Sequence, residues 1–408
     1  MTRDEAYKKL KVHGQEHLLR MYDNLTAEEQ EALLDRIDRT DFSYLDHFKE
    51  KEREIARGVI TPLKALEIPE ILGRTGEFEA CGIRQIREGR LAAVLLAGGM
   101  GTRLGISGPK GACDIGITRP LYIFECLMNN MMRNAAAAGV LFQLFVMTSE
   151  KNDAETRRFF EEHDFFGYDA GHVHFFVQEM APAVDEDGHV LLETPSEIAV
   201  SPNGNGGWFR SMEKAGYTQI LKDEGIEWLN VFAVDNVLQN ICDPVFFGAV
   251  LESGCASGSK VVRKVNPQEK VGVMCLEDGR PSVIEYYEMS DAMRSEKDAD
   301  GNYAYNFGVT LNYLFRVKDL EAAAGASMPL HFAHKKVPYY SEDGCAVSPD
   351  VPNGWKFEYF ILDLIHELPD CLPFEVDRRK EFAPVKNASG TDSVDTAREL
   401  LRENGVTL

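Results

Sequence analysis

A glycine-rich segment followed by two cationic side chains is the part of this 408-residue sequence best suited to hold a polyphosphate. The apolar run Leu91–Leu96 leads into Gly98–Gly101, which contains three glycines, and Arg103 and Lys110 follow. Because glycine has no Cβ, backbone N–H groups in such a segment can approach phosphate oxygens or a base closely. Guanidinium and ammonium groups then supply the complementary charge. The spacing therefore predicts a nucleotide-binding loop at the end of a buried strand.

Two better-known glycine loops fit these residues poorly. A dinucleotide fingerprint has the spacing G-x-G-x-x-G, whereas Gly99 and Gly101 are followed by three residues before Gly105. A P-loop has Gly-Lys before Ser or Thr, whereas Lys110 follows Pro109. A glycine-rich turn that serves only the fold would not explain the paired arginine and lysine.

Further motifs follow this loop in a definite order. They are Met147-Thr148-Ser149, Gln178–Ala183, Pro202–Gly207, Val234-Asp235-Asn236, Asp243-Pro244, Pro352-Asn353-Gly354 and Pro384–Asn387. Together with Leu96–Gly99 and Pro109-Lys110-Gly111, the series resembles the UDP-N-acetylhexosamine pyrophosphorylases, a UTP-using family. The resemblance covers about residues 90 to 400.

The resemblance implies a uridine site and a sugar site. The uridine site would comprise Leu96, Ala97, Gly98, Gly99, Gln178 and Gly204. The sugar site would comprise Asn205, Asp235 and Glu285. The amide of Gln178 can both donate to and accept from the uracil edge, which distinguishes uracil from cytosine. Taken without the family, Gln178 also fits a structural strand end, Gly204 a plain loop and Glu285 an exposed strand acid.

The implied reaction is uridylyl transfer from UTP to N-acetylglucosamine 1-phosphate, which yields UDP-N-acetylglucosamine and pyrophosphate. A sugar phosphate oxygen attacks the α-phosphorus in line, so the protein must hold two anions together and neutralise their charge. We expect Arg103 to bind the leaving phosphates and Lys110 the α-phosphate. Lys356 and Lys386 are expected to bind the sugar phosphate, although each alone resembles a solvated surface lysine.

Magnesium is the expected cofactor. Mg²⁺ prefers hard oxygen ligands and usually takes few protein carboxylates beside substrate phosphates. Asp235 follows the apolar segment Phe232–Val234 and is the expected protein ligand. The competing role for Asp235 is the N-cap of a helix that follows the strand.

One position departs from the family pattern. The family typically has Tyr-Asn-Ala-Gly-Asn where this chain has Tyr305-Asn306-Phe307-Gly308-Val309. Because valine cannot donate a hydrogen bond to a sugar, glucose, galactose or N-acetylgalactosamine 1-phosphate remain alternative substrates. Two other classes are a nucleotide-sugar glycosyltransferase, which lacks the Gly-Thr-Arg loop with Pro-Lys, and a nucleotide-sugar sensor without turnover.

The elements that must position these residues alternate between strands and helices, which predicts an α/β fold with ligands at the carboxyl ends of strands. Strands are predicted at 91–96, 141–147, 173–177, 227–234, 260–265, 303–315 and 373–376, with a hairpin over 271–287. Helices are predicted near 120–138, 356–368 and 392–403. The resemblance implies a Rossmann-like, GT-A-like nucleotidyltransferase with a mixed sheet. We expect a helical N-terminal segment at 1–88, a catalytic domain at 89–335 and a small C-terminal region at 336–408 that contributes phosphate-binding lysines.

The charge balance limits the partners. The formal net charge is -22, and nucleic acids and anionic membranes are bound through clustered lysine and arginine. We therefore expect UTP and a sugar 1-phosphate as partners, without nucleic acid or membrane. The eight cysteines form no C-x-x-C pair, and no signal sequence or long apolar run is evident. The expected location is the cytoplasm.

Overall fold

The computed structural model describes residues 1–50, 57–323, 328–341 and 343–408. The chain forms two compact units, each discontinuous in sequence. The small unit comprises Met1–Ala56, Glu179–Gly207 and Met328–Ile361, and the large unit comprises Arg57–Gln178, Trp208–Ser327 and Leu362–Leu408. The chain passes from one unit to the other at positions different from residues 88 and 335, where the domain boundaries were predicted. Residues 51–56 of the predicted helical segment lie outside the described residues.

A ten-stranded mixed sheet forms the centre of the large unit. Its strands are β1 (Ile60–Pro62), β2 (Leu91–Leu96), β3 (Leu144–Thr148), β4 (Val173–Val177), β5 (Trp228–Ala233), β6 (Ser257–Arg263), β7 (Val273–Glu277), β8 (Arg280–Ile284), β9 (Phe307–Arg316) and β10 (Leu372–Glu375). The main strand order is β1-β7-β9-β5-β2-β3-β4, while β6 pairs with β9 and β10, and β8 pairs with β7. This architecture confirms the predicted mixed α/β sheet.

Four neighbouring strands of this sheet are parallel. β2 pairs in parallel with β3 and with β5, and β3 pairs in parallel with β4. Every side chain of β2 and of β3 is buried, as the continuous apolar runs predict for parallel strands covered on both faces. Because parallel strands end at one edge of a sheet, the segments after β2, β3, β4 and β5 emerge together.

Helices of the large unit surround the sheet. They are Ile68–Arg87, Ile123–Ala138, Asp153–Glu162, Trp208–Lys214, Thr218–Glu224, Pro244–Ser253, Asp291–Ser295, Val317–Ala323, Ile361–Glu367 (its first residue in the small unit), Arg378–Glu381 and Val394–Glu403. Ile68–Arg87 packs closely on Pro244–Ser253. The approach requires glycine at residue 82, since a Cβ there would lie 2.0 Å from the carbonyl oxygen of Pro244. None of the helices in the described residues combines the length and apolar character that a membrane crossing requires.

The small unit combines N-terminal helices with short antiparallel strand pairs. Its helices are Arg3–Val12 and Ala27–Arg39, each begun by a capping box, and its strand pairs are Met180–Pro182 with Val200–Pro202, Leu192–Thr194 with Glu197–Ile198, His331–Lys335 with Gly354–Glu358, and Tyr339–Tyr340 with Ala346–Val347. Leu10, Leu33 and Phe357 belong to its buried core. The helices Arg3–Val12 and Ala27–Arg39 lie within the segment 1–88 that was predicted to be helical, and the strand Ile60–Pro62 lies there too.

Several predicted elements need correction at their bounds, and the strands predicted at 141–147 and 260–265 are Leu144–Thr148 and Ser257–Arg263. The helix predicted at 356–368 begins at Ile361, since Gly354–Glu358 is a strand paired with His331–Lys335. Phe357 is fully buried in that pair, and its apolar character also suits a helix face. The strand predicted from residue 303 begins at Phe307. The predicted hairpin is present as β7 and β8, and its turn residues have the positive φ angles of 50° at Asp278 and 81° at Gly279.

Candidate functional site

The glycine loop after β2 folds back on itself. The N–H of Gly101 donates to the carbonyl of Gly108 at 2.9 Å, and the N–H of Lys110 donates to the carbonyl of Gly99 at 3.1 Å. Gly105 turns the chain with a φ of +82°, a conformation that glycine adopts without steric cost. The loop therefore returns Lys110 to the end of β2, beside the glycines that precede it.

A buried asparagine fixes the base of this loop. Asn152 Nδ2 donates to the carbonyl of Ala97 at 2.9 Å and to that of Gly99 at 3.3 Å. Asn152 Oδ1 in turn accepts the N–H of Ser149 at 2.8 Å in the turn after β3. Asn152 is not among the residues predicted for the site, although the polar run Ser149–Asp153 directly after a buried strand is a signal that could have indicated it.

Gln178 lies against the glycine loop. It follows β4, it is 7% exposed, and its N–H donates to the carbonyl of Thr148 at 2.9 Å. A Cβ added at Gly98 would lie 2.6 Å from Gln178 Nε2, whereas one added at Gly99 would meet no atom within 4 Å. Gly98 thus makes room for the amide of Gln178, and Gly99 leaves open space beside it. The structure brings these residues together at the end of β2, where Leu96 and Ala97 are buried.

Charged side chains converge beside the loop. Lys110 Nζ lies 3.7 Å from Asp235 Oδ2, with 12% and 23% of the two side chains exposed. Burial lowers the pKa of Lys110, the positive charges of Arg103 and Lys386 lower it further, and Asp235 opposes them. Arg103 and Lys386 thus lie close enough to Lys110 to act on its charge, and this local concentration of cations favours a polyanionic ligand.

Asp235 does not cap a helix. It follows β5 in a turn, and the next helix, Pro244–Ser253, is capped by the side chain of Asp243. The carbonyl of Asp235 accepts the N–H of Val385 at 2.8 Å, which holds the neighbouring Lys386 near the end of β5. Lys386 Nζ itself lies 3.2 Å from Asp392 Oδ2. The competing N-cap role is therefore excluded.

Glu285 follows the β7–β8 hairpin and is partly buried. Burial and the neighbouring Glu288 raise its pKa, while Arg57 and Lys386 act in the opposite direction. A carboxyl in this position can accept hydrogen bonds from hydroxyl groups while it remains near a cation. Lys386 thus acts electrostatically on both Glu285 and Lys110.

Three of the expected residues belong to the small unit. Gly204 has a φ of +87°, and a Cβ there would lie 2.2 Å from the carbonyl oxygen of Tyr359. Asn205 Oδ1 accepts the N–H of Ile361 at 3.1 Å. Lys356 lies on the strand Gly354–Glu358. Gly204 and Asn205 therefore contact the segment that directly follows the strand carrying Lys356, and their roles toward ligands stay predictions.

Val309 lies on β9 opposite Val261 and is half-buried. Its N–H donates to the carbonyl of Gly272 at 2.9 Å, and a Cβ at Gly272 would lie 3.4 Å from Glu285 Oε1. The apolar side chain of Val309 thus belongs to the same part of the sheet as the carboxyl of Glu285.

Two groups of side chains offer ligand atoms for a divalent metal. Asp235 offers a partly exposed carboxylate beside the cationic groups, which suits a metal bound jointly with phosphates. Among the described residues, Asp185, Asp187 and His189 also place ligand atoms within 4.8 Å of one another. Asp185 Oδ1 already accepts the N–H groups of Asp187 and His189 in an exposed turn of the small unit. This second group is explained by the turn.

Comparisons with known proteins place these observations in context. A family model described as UTP–glucose-1-phosphate uridylyltransferase matches residues 34–401. UDP-N-acetylhexosamine pyrophosphorylase-like protein 1 from Homo sapiens is 37% identical and covers 96% of this chain and 82% of its own length. UDP-N-acetylglucosamine pyrophosphorylase from Saccharomyces cerevisiae is 33% identical, with 94% and 86% covered. The solved structure of the uridine diphosphate N-acetylglucosamine pyrophosphorylase from Trypanosoma brucei, in complex with inhibitor, has a TM-score of 0.85 at 30% identity, with 98% and 84% covered.

Proposed function

The chain belongs to the UTP–glucose-1-phosphate uridylyltransferase family, and on that premise we propose that it converts UTP and N-acetylglucosamine 1-phosphate to UDP-N-acetylglucosamine and pyrophosphate. The choice of sugar is supported by the relatives from yeast and Trypanosoma brucei, whose names specify N-acetylglucosamine. The same reaction with glucose, galactose or N-acetylgalactosamine 1-phosphate is the alternative, and Val309 supports it because valine offers no hydrogen bond to a sugar.

The observation that carries the proposal is the contact of Lys110 with Asp235 at the end of the glycine loop, with Arg103 and Lys386 near enough to lower the pKa of Lys110. Two substrates with negative phosphates repel each other, and bringing them together is the main difficulty of this reaction. A preorganised group of cations in a partly buried site lowers that cost and stabilises the charge that develops on the leaving pyrophosphate.

The reaction proceeds by a single displacement. A phosphate oxygen of the sugar 1-phosphate forms a bond to the α-phosphorus of UTP, and the bond from that phosphorus to the β-phosphate oxygen breaks. Pyrophosphate leaves with the electron pair of the broken bond. The attacking phosphate is already ionised at neutral pH, so no covalent enzyme intermediate is needed.

Each charged side chain has a defined task in this displacement. Lys110 contacts the α-phosphate and its transition state, because the loop returns it to the glycines at the end of β2. Arg103 is exposed on the same loop and binds the departing β- and γ-phosphates. Lys386 binds the sugar phosphate, and Lys356 of the small unit has the same task.

The uracil and the sugar are bound by polar groups in this proposal. Gln178 reads the uracil edge, with Gly98 and Gly99 providing close approach of the backbone. Leu96, Ala97 and Gly204 complete the uridine contacts. Glu285, Asn205 and Asp235 bind the sugar, and burial raises the pKa of Glu285 above its ordinary value.

Magnesium is the proposed cofactor, with Asp235 as its protein ligand. The ion would supply charge neutralisation for the triphosphate oxygens. The carboxylate of Asp235 is partly exposed and points toward Lys110, so it is available to a ligand at this edge. The cysteines are unpaired, and we place the reaction in the cytoplasm, where thiols remain reduced.

Pyrophosphate release tests the proposal. The purified protein is incubated with Mg²⁺, UTP and each of the four sugar 1-phosphates, with CTP as a control for base recognition. The highest kcat/KM is expected with N-acetylglucosamine 1-phosphate, and little release is expected with CTP. A preference for an unsubstituted hexose would select the alternative substrate. Binding of UTP without release from any sugar would favour a sensor.

A further inference from the structure

The buried side-chain amide of Asn236 lies next to Asp235 in sequence and bonds to the segment that leads to Lys386. We infer that Asn236 is a positioning residue that sets the separation of Asp235 and Lys386, an inference that rests on the proposed role of Lys386. Asn236 is 1% exposed. Its Nδ2 donates to the carbonyl of Glu381 at 2.7 Å, and its Oδ1 accepts the N–H of Ala383 at 2.9 Å. One amide therefore holds two points of the segment that leads to Lys386.

Main-chain hydrogen bonds join the same two segments. Val385 donates its N–H to the carbonyl of Asp235 at 2.8 Å, and Val237 donates to the carbonyl of Ala383 at 3.3 Å. Pro384 lies opposite Asn236 between these two bonds. Asn236 and Pro384 form the non-hydrogen-bonded pair of this antiparallel bridge, so the missing N–H of proline costs no bond between the two segments. The side-chain amide of Asn236 adds one donor and one acceptor to the two main-chain bonds.

A buried ion group anchors the other end of the same segment. The carboxylate of Glu381 accepts from Lys260 Nζ at 2.6 Å, and Lys260 also donates to Asp243 Oδ2 at 2.7 Å. The side chain of Lys260 is 1% exposed. Lys260 thereby ties Glu381, at the start of the segment, to Asp243. Asn236 also contacts Ala383, which is closer in sequence to Lys386 than Glu381 is.

The consequence for the reaction concerns the placement of one ammonium group. Lys386 lies close enough to Lys110 and Glu285 to influence the pKa of each. A shift of the 381–386 segment would move Lys386 while leaving the glycine loop in place. Loss of Asn236 function should therefore weaken sugar phosphate binding and leave UTP binding nearly unchanged.

The test compares two substitutions at this position. Asn236→Asp keeps the size of the side chain but replaces the donor that faces the carbonyl of Glu381 by an acceptor. Asn236→Ser shortens the side chain and leaves a single hydroxyl in place of the separate donor and acceptor of the amide. Each should raise the KM for N-acetylglucosamine 1-phosphate about tenfold, with the KM for UTP changed less than about threefold. Urea unfolding of each variant identifies those that fold.

A matched control and a double substitution separate positioning from stability. Asn230 is also 1% exposed and makes hydrogen bonds to Asn312, Tyr313 and Cys242. Asn230→Asp should lower the urea midpoint without the selective rise in KM for the sugar phosphate. In a Lys386→Met background, Asn236→Asp should cause no further rise in that KM.

Three outcomes would overturn the inference. They are an equal rise in both KM values, a full additional loss in the Lys386→Met background, and failure of both Asn236 variants to fold, which would assign the residue to stability alone. A normal KM in Lys386→Met would instead contradict the proposed function of Lys386. Impairment by Lys386→Met together with normal Asn236 variants would contradict only the present inference.

Discussion

Replacing Lys110 by methionine removes one charge from the candidate site and keeps a side chain of similar length. Lys110 is 12% exposed, and burial together with Arg103 and Lys386 lowers its pKa. The folded chain therefore already holds this ammonium at some cost. Methionine should fill the same space and preserve the fold, so that a loss of activity reports on the missing charge.

The expected loss follows from the geometry. Lys110 Nζ lies 3.7 Å from the carboxylate of Asp235. A unit charge at that separation interacts by about 4.5 kcal/mol with an effective dielectric constant of about 20. Loss of one preorganised contact to a transition state costs about 3 to 4 kcal/mol in comparable steps. Lys110→Met should therefore lower kcat by roughly two to three orders of magnitude.

The assay measures initial rates of pyrophosphate release under saturating UTP and sugar 1-phosphate. Lys222→Met is the matched control, because Lys222 lies 3.7 Å from Glu321 but is 63% exposed on the surface. Both variants change the net charge equally. The control should keep the wild-type rate, which separates the local effect of Lys110 from the overall charge of the protein.

A fall in kcat of less than about threefold in folded Lys110→Met would refute the assignment of Lys110 to the transition state. A large rise in the KM for UTP with unchanged kcat would show that Lys110 binds the ground state and the transition state equally. Either result would contradict the proposed role of Lys110 at the reacting α-phosphorus.

Three further predictions concern the other parts of the site. Burial and Glu288 raise the pKa of Glu285, so the protonated carboxyl stabilises the folded state below the ordinary pKa of 4.5, and this stabilisation is lost as the pH rises through the raised pKa. Glu285→Gln should therefore raise the urea midpoint of unfolding at pH 7 and leave it nearly unchanged at pH 4. Gly98→Ala places a methyl group 2.6 Å from Gln178 Nε2, and the KM for UTP should rise about tenfold because the amide must move. Gly73→Ala, on a helix surface with no atom within 4 Å, is the control, and an equal effect of that substitution would contradict the steric explanation. Val309→Asn should increase the ratio of kcat/KM for N-acetylglucosamine 1-phosphate over glucose 1-phosphate by about tenfold, because an amide adds one hydrogen bond, and an unchanged ratio would remove this position from sugar selection.

The glycine loop and its strand could be predicted because their signals are local. The apolar run Leu91–Leu96 matches β2 at both ends, and the conformational freedom of glycine is visible in the sequence itself. The start of the helix at Ile361 could not be predicted. The preceding segment becomes a strand through pairing with His331–Lys335, and such pairing depends on distant parts of the chain.

The charged and polar side chains of the candidate site could be predicted from the sequence, whereas the buried residues that hold them in place could not. Asn152 and Asn236 are buried amides that hold main-chain groups of other segments. In sequence such asparagines resemble ordinary turn residues, because turns favour the same side chain. The proximity of Lys110 to Asp235 likewise depends on the parallel pairing of β2 with β5, which brings two distant strand ends to one edge.

The most direct test of uridylyl transfer follows the oxygen atoms of the sugar phosphate. N-acetylglucosamine 1-phosphate labelled with ¹⁸O in its phosphate is incubated with UTP, Mg²⁺ and the protein, and the products are analysed by mass spectrometry. Attack on the α-phosphorus predicts that all of the label appears in UDP-N-acetylglucosamine and that the pyrophosphate is unlabelled. Label in the pyrophosphate, or the absence of a labelled UDP-sugar with any of the four sugar 1-phosphates, would contradict the proposed reaction.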